Sequence, residues 1–298
     1  MDKALTLEDF EFKPVQYDRE KLLRVNNEKE FIHISIELFK ELAQFIAILG
    51  CLYKTDENGS PRLWTRDEAI LGGLMIRCVK LMHGLLDNVC KNRMELANIY
   101  VRCLGETIIN LKYLINFGTA DLCKEFVAFS LRTEKKLLDE IENNINERGY
   151  ELPIEARMKK SIISSFEKSG IIPNDIDASE RSIWGGNIYQ RFKKLGLEKA
   201  YLGIIGLQSH FVHGNWQEVL RYHLNYEDGF YSPNPDWETP SPQPILSLGV
   251  ILGETAIEYI DMFTIDSSDK ESIKEMLCDL INRIYEVDSL HELYLQRK

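Results

Sequence analysis

From Asp18 onward, apolar residues recur three and four positions apart, a spacing that gathers them on one face of a helix. Phe31, Ile34, Leu38, Leu42, Phe45 and Leu49 set a first helix over about 18–52. Ile32, Ile34 and Ile36 also alternate as a strand would, and the continuation of the pattern through Leu49 decides for helix. Thr55 to Pro61 is a polar loop. Thr65 and Glu68 form a capping-box pattern that opens a second helix running to about Lys91. A third, over about 93–116, carries Ala97, Val101, Leu104, Ile108 and Leu111, and Gly118 separates it from a fourth over 120–146. Two shorter helices, 153–168 and 179–195, are divided by Gly170 and Pro173. A seventh, 198–213, is apolar on most sides (Tyr201, Leu202, Ile204, Ile205, Leu207, Phe211, Val212), which predicts a place at the centre of a bundle. Gly229 to Pro244 holds five of the nine prolines and predicts an extended surface crossing. Two last helices, 245–263 and 268–295, follow, the second opened by Ser268 with Glu271.

The pattern therefore predicts an all-α, multi-helix bundle of about eight or nine helices. An N-terminal arm (1–17) precedes one helical domain (18–298) with its core over 66–226. The crossing (229–244) and a C-terminal helix pair (245–296) pack outside that core. No segment repeats at a fixed period, which excludes a solenoid.

Composition narrows the class. With 298 residues, 44% hydrophobic and 28% charged, the chain has the make-up of a folded globular protein. Its 36 Lys and Arg against 47 Asp and Glu give a net charge of −11, which argues against a general phosphate-binding surface and leaves room only for a local pocket. The acidic first 14 residues lack the basic start and apolar segment of a secretory leader. The longest apolar run, Leu42 to Tyr53, is interrupted by Gln44 and falls short of the roughly 20 residues of a membrane span. Cys51, Cys78, Cys90, Cys103, Cys123 and Cys278 are scattered singly, without the close pairing of a zinc or redox motif, and read as buried reduced thiols. The expectation is a cytoplasmic protein that does not engage a membrane.

Motifs for a dinucleotide, a nucleotide phosphate loop, a zinc protease helix and an esterase elbow are all missing from the sequence, and no cofactor is expected. Metal-ligand spacing is limited to Glu30 with His33 and to His210 with His213, the latter pair three apart on one helix without an obvious third ligand. Glu254, Glu258 and Asp261 share one helix face and read as a solvated acidic stripe.

Two helices carry polar residues where apolar ones belong. Arg102 and Glu106 are four apart inside an apolar stretch, and Ser209 and His213 are four apart at the end of the most apolar helix. Buried charges are costly unless paired, so the two pairs are expected to meet: Glu106 fixing the tautomer of His213, and Arg102 presenting its fork beside Ser209. Such a quartet either performs acid–base work on a phosphodiester or locks two core helices in register. In the second case Glu106→Ala should lower the melting temperature sharply.

At these residues the sequence resembles a family of bacterial helical proteins catalogued only as a domain of unknown function, whose members carry Arg-x-x-x-Glu and, later, Ser-x-x-x-His-Gly. Here these are Arg102 to Glu106 and Ser209 to Gly214, and the likeness runs from near Asp67 to near Tyr226. More distantly, the helical layout resembles the HEPN superfamily, many of whose members cut RNA without metal and serve in toxin or phage-defence systems. That resemblance implies an Arg and a His separated by four to six residues. Arg77 and His83 fit the spacing, although residue 78 is Cys where the superfamily usually has a polar residue.

The resemblance implies a HEPN-like protein that cleaves or binds RNA or takes a small phosphate ligand, with His213 (or His83) as acid/base and Arg102 (or Arg77) as phosphate clamp. The residue pattern alone equally allows a non-enzymatic interaction module, its Pro-rich loop docking a protein partner through Phe230, Tyr231 and Trp237, or a small-anion or nucleotide sensor. A homodimer is compatible with any of these.

Overall fold

The structure is a computed structural model that describes residues 13–52, 54–55, 60–262 and 267–298. The side chains of 54, 55 and 267–269, the expected capping residue Ser268 among them, fall outside the description, as do Phe263 and most of the N-terminal arm. Among the described residues there are twelve α-helices, more than the eight or nine expected, and two short hairpins. The extra helices arise mainly where a long amphipathic stretch is cut. The first stretch breaks into α1 (Arg19–Arg24) and α2 (Lys29–Gly50) at Val25, whose backbone is extended and is followed by Asn26 and Asn27. Asn27 uses its side chain to accept from Lys29 N–H, the local bonding by which Asn competes with helix. The fourth stretch likewise divides at Leu131 into α5 (Ala120–Ser130) and α6 (Arg132–Arg148).

Other elements follow the sequence closely. α3 (Arg66–Cys90) starts from the Thr65–Glu68 capping box, with both reciprocal bonds made. α4 (Met94–Phe117), α7 (Pro153–Ser169) and α12 (Ser267–Leu295) lie within a few residues of expectation, as does the start of α11 (Gln243–Ile260). Lys54–Thr55 and Pro61–Arg62 pair as β1 and β2 in what reads as a loop.

The core is built by α2, α3, α4, α11 and α12. This corrects the expectation that the last two helices pack outside, because Leu252, Ala256, Tyr259, Leu277 and Leu280 are fully buried. Gly249 and Gly253, one turn apart on α11, let Ile284 and Ile281 of α12 approach closely; a Cβ on Gly253 would stand 2.7 Å from Ile281. A smaller apolar cluster (Leu138, Ile141, Ile162, Phe166) holds α6 against α7. α3 is long and apolar enough to cross a bilayer by composition. It also carries Arg77, Lys80, His83 and Asp87, and it buries Met75, Cys78, Met82 and Val89 in the core.

The largest departures lie between 179 and 244. Only Ile188–Lys194 (α8) of the sixth expected helix is helical, since Gly185 and Gly186 take positive φ just before it. The seventh becomes a 3-10 turn (Glu198–Ala200), a π-helical turn (Leu202–Gly206) and a short α9 (Ser209–His213), ended by Gly214 at φ +56°. It is a surface element, not a central helix: Leu202 is 68% and Leu207 59% exposed. α10 (Trp216–Tyr222) follows, then a hairpin of β3 (Leu224–Glu227) and β4 (Phe230–Pro233) closed by Asp228 and Gly229 at positive φ. The crossing is thus partly strand, and residues 234–242 alone form the irregular strap.

Candidate functional site

α4 carries a polar row. Asn98, Arg102, Glu106 and Asn110 follow one another at four-residue steps, so they line one side of the helix, with Glu95 one turn before them. The π turn and α9 cover this row. Ile204 seats on Gly105, where an added Cβ would stand 2.2 Å from Ile204 Cγ2. Farther along, Phe211 meets Tyr222 at 5.0 Å between ring centres, and Tyr222 feels the charge of Glu95. The covering segment therefore runs antiparallel to α4.

That direction decides which expected partners meet. Arg102 Nη2 pairs with Glu106 Oε2 at 3.6 Å, as the spacing implies. Ser209 donates its hydroxyl to Ile205 O at 2.6 Å within its own segment. No hydrogen bond or ion pair joins Glu106 to His213, which is exposed at the end of α9. The charged neighbour of Glu106 besides Arg102 is Arg191 of α8.

No motif or spacing in the sequence singles out Arg191. It is 4% exposed, its guanidinium lies 3.6 Å above the ring centre of Trp184, and it donates to Trp184 O, Gly186 O and Asn110 Oδ1. Burial pulls its pKa down to about 10, against the opposing charge of Glu106. Several polar atoms of the covered row have no protein hydrogen-bond partner among the described residues: Glu95 Oε2, Asn98 Oδ1, Arg102 Nη1, Arg191 Nε and, from the covering segment, Gln208 Oε1. The four-residue recurrence of Asn98 and Asn110 about Arg102 and Glu106 was the available signal for the extended row.

The second pair, Arg77 and His83, lies on α3. Arg77 donates to Thr107 Oγ1 of α4 at 3.2 Å, while His83 is exposed. His210 is held by the Asn215 side chain, and His33 is exposed with Glu30 engaged by Lys21. No group of three His, Cys, Asp or Glu positioned for a metal occurs among the described residues. The acidic stripe of α11 is tied into ion pairs and hydrogen bonds: Glu258 with Lys112 and Asn116, Asp261 with Lys270 and Lys274, Glu254 with Tyr285. Of the cysteines, all free, Cys78 and Cys123 are buried as expected, and Cys51, Cys90 and Cys278 are exposed. Burial pushes the Cys78 thiol up to about 12, which leaves it protonated and inert.

Outside the covered row, the same segment presents an apolar surface. Leu202, Leu207 and Val212 point to solvent, Trp216 of α10 is exposed beside them in the chain, and the hairpin adds Tyr226, Phe230 and Tyr231. Trp237 is half exposed in the strap, beneath the guanidinium of Arg93 at 5.7 Å, and Glu238 O accepts from Met94 N–H at 3.3 Å, satisfying one donor of α4's open first turn. A hollow of about 250 Å³ elsewhere, between α2 and α12, is lined by Glu41, Phe45, Met276 and Arg283 and includes none of the expected site residues.

Compared with known proteins, residues 68–231, more than half of the chain, match the model of a family of unknown function, DUF5677. No curated protein and no solved structure matches.

Proposed function

Because the chain belongs to DUF5677, a family of unknown function whose membership brings no activity with it, we propose that it is a helical interaction module. Its partner is a protein, received on the face built by residues 202–231. The observation that carries this reading is the apolar surface the covering segment leaves in water: Ile204, Ile205 and Gln208 are buried, while Leu202, Leu207 and Val212 are exposed. A segment with one solvent face ordinarily gives that face polar residues. Trp216 and the hairpin pair Tyr226 and Tyr231 add exposed aromatic rings, and surfaces of that kind mark sites of association. The module works in the cytoplasm, in keeping with six free cysteines. The test is cross-linking of the native chain in cell extract. A partner recovered by the wild type and lost by Leu207→Asp supports the reading; recovery of nothing, or of the same species by both, overturns it.

A second reading, RNA cleavage or capture of a small phosphate ligand of the kind a HEPN-like protein performs, draws on the Nη1 of Arg102, which has no protein partner among the described residues, and on the exposed ring of His213. Glu106 is paired with Arg102 and makes no bond to His213, so this scheme keeps Arg102 as the clamp and does without the orienting carboxylate. Under it the chain degrades RNA in the presence of a chelator, and His213→Ala and Arg102→Ala each abolish cleavage while folding survives. Intact RNA with the wild type, together with no melting shift from nucleotides, rules it out.

A further inference from the structure

The charge around the docking face narrows its partner, an inference that rests on the interaction-module reading. Leu207, Val212, Trp216, Tyr226 and Tyr231 are each close to half exposed or more. At roughly 100 Å² apiece, their bare parts come to roughly 500 Å². That is near the upper end of what a monomer leaves uncovered, and more than half of the roughly 800 Å² that one side of a standard interface buries. Phe230, paired with Glu227 across the hairpin, leaves the opposite side of the ribbon. The aromatic part is preset. Tyr231 lies 4.9 Å from Tyr226 and 5.7 Å from Trp216 between ring centres. The ribbon beneath is held by its two-residue turn and by Asn234 N–H donating to His223 O at 2.8 Å. Rings already in place lose little rotamer freedom on binding.

The rim is acidic. Glu227 and Asp228 at the turn and Asp236 in the strap are exposed without an ion pair among the described residues, whereas of the nearby cations Arg221 is joined to Glu238 at 3.7 Å and Arg93 lies over the Trp237 ring. A second copy would bring the same three acids to the contact, on a chain of net charge −11. Anionic lipid and nucleic-acid phosphates meet the same repulsion. Strand addition at the outer edge of β4 is also disfavoured, because Pro233 removes a donor there. What remains exposed for docking is a ridge of side chains on α9 and α10 beside the aromatic ribbon, which suits the apolar stripe of another helix.

We propose that this face binds a helical segment of another protein whose apolar stripe is flanked by Lys or Arg. The test titrates the full chain into a dye-labelled amphipathic model helix of Leu and Lys. A matched Leu and Glu helix, phosphatidylserine vesicles and single-stranded RNA serve as competing probes, and sedimentation reports the oligomeric state. The Leu and Lys helix is expected to bind best. Leu207→Ser and Tyr231→Ser each weaken it about tenfold or more, while Phe230→Ser, on the other side of the ribbon, leaves it unchanged. The charge reversal Asp228→Lys weakens it and flattens its salt dependence.

The proposal is overturned if the Leu and Lys helix does not bind, if Leu207→Ser and Tyr231→Ser bind as tightly as wild type, or if the acidic helix, the vesicles or RNA bind better. It is overturned too if the wild type sediments as a dimer that Tyr231→Ser dissociates. In that event a patch-dependent partner, the chain itself, still exists and the interaction-module reading stands; loss of all patch-dependent association removes both.

Discussion

Ile204 occupies the space that a side chain on Gly105 would fill, with its Cγ2 2.2 Å from the position of that missing carbon. The contact anchors the covering segment to α4 and sets its register over the polar row. Gly105→Ala forces the π turn outward, and overpacking of this kind costs roughly 1–3 kcal/mol. Ile204→Ala in the same chain recovers part of that loss, so a double-mutant cycle by urea denaturation should return a coupling well away from zero. Additive losses would mean the segment floats on α4.

Glu106→Ala is expected to lower stability by less than about 1 kcal/mol, since its 3.6 Å pair with Arg102 is partly exposed and screened. This reverses the sharp loss expected from a dry quartet. Thermal melting of the variant checks it.

Arg191 carries more of the local architecture than the motif residues do. Arg191→Ala removes two bonds to backbone carbonyls and the stacking on Trp184, for a loss of roughly 2–4 kcal/mol. Arg191→Lys restores little, because an ammonium neither forks between two carbonyls nor lies flat on an indole. Equal melting temperatures for Lys and Arg would contradict this account.

At the opposite side, Arg283 holds Glu41 by two bonds of 2.7 and 2.6 Å, and Glu41 also accepts from Val15 N–H. Arg283→Met leaves a buried carboxylate uncompensated and should cost roughly 3–5 kcal/mol, whereas replacing both partners by apolar residues costs less. Denaturant midpoints of the single and double variants separate the two cases.

The acid limb of the stability curve has a local contributor. Hydrogen bonds from Lys274 and then Lys270 hold the Asp261 carboxyl below the usual carboxylate range. The folded value is lower than the unfolded one, so this contribution is complete above the unfolded pKa of about 3.9 and is lost as pH falls through the folded value. Asp261→Asn should lower the urea midpoint slightly at pH 5 and make no difference at the bottom of the transition. The group is exposed enough for salt to shrink the effect.

The sequence made the helical class, the Thr65 start and the run of α3 and α4 legible, because caps and apolar spacing act within one turn. The breaks at Val25 and Leu131 were not, since the apolar pattern runs on across both. The placement of 198–213 failed for a different reason. A stretch apolar on most sides reads as central, and the inward turn of Gln208 depends on which polar side chains of α4 lie beneath it, a tertiary fact. The Arg102–Glu106 pair was readable as a four-residue step. That it makes no bond to His213 follows from a register between two segments that neither one encodes, and Arg191 enters only through a loop shaped by Gly185 and Gly186.

The strap from Asn234 to Pro242 begins at the aromatic hairpin and, at Glu238, supplies a carbonyl to the first turn of α4. Tension on the ribbon is therefore delivered to the opening of the helix that bears Arg102. Any displacement of the ribbon along the strap would be felt first at that carbonyl, where the chain is pinned to α4.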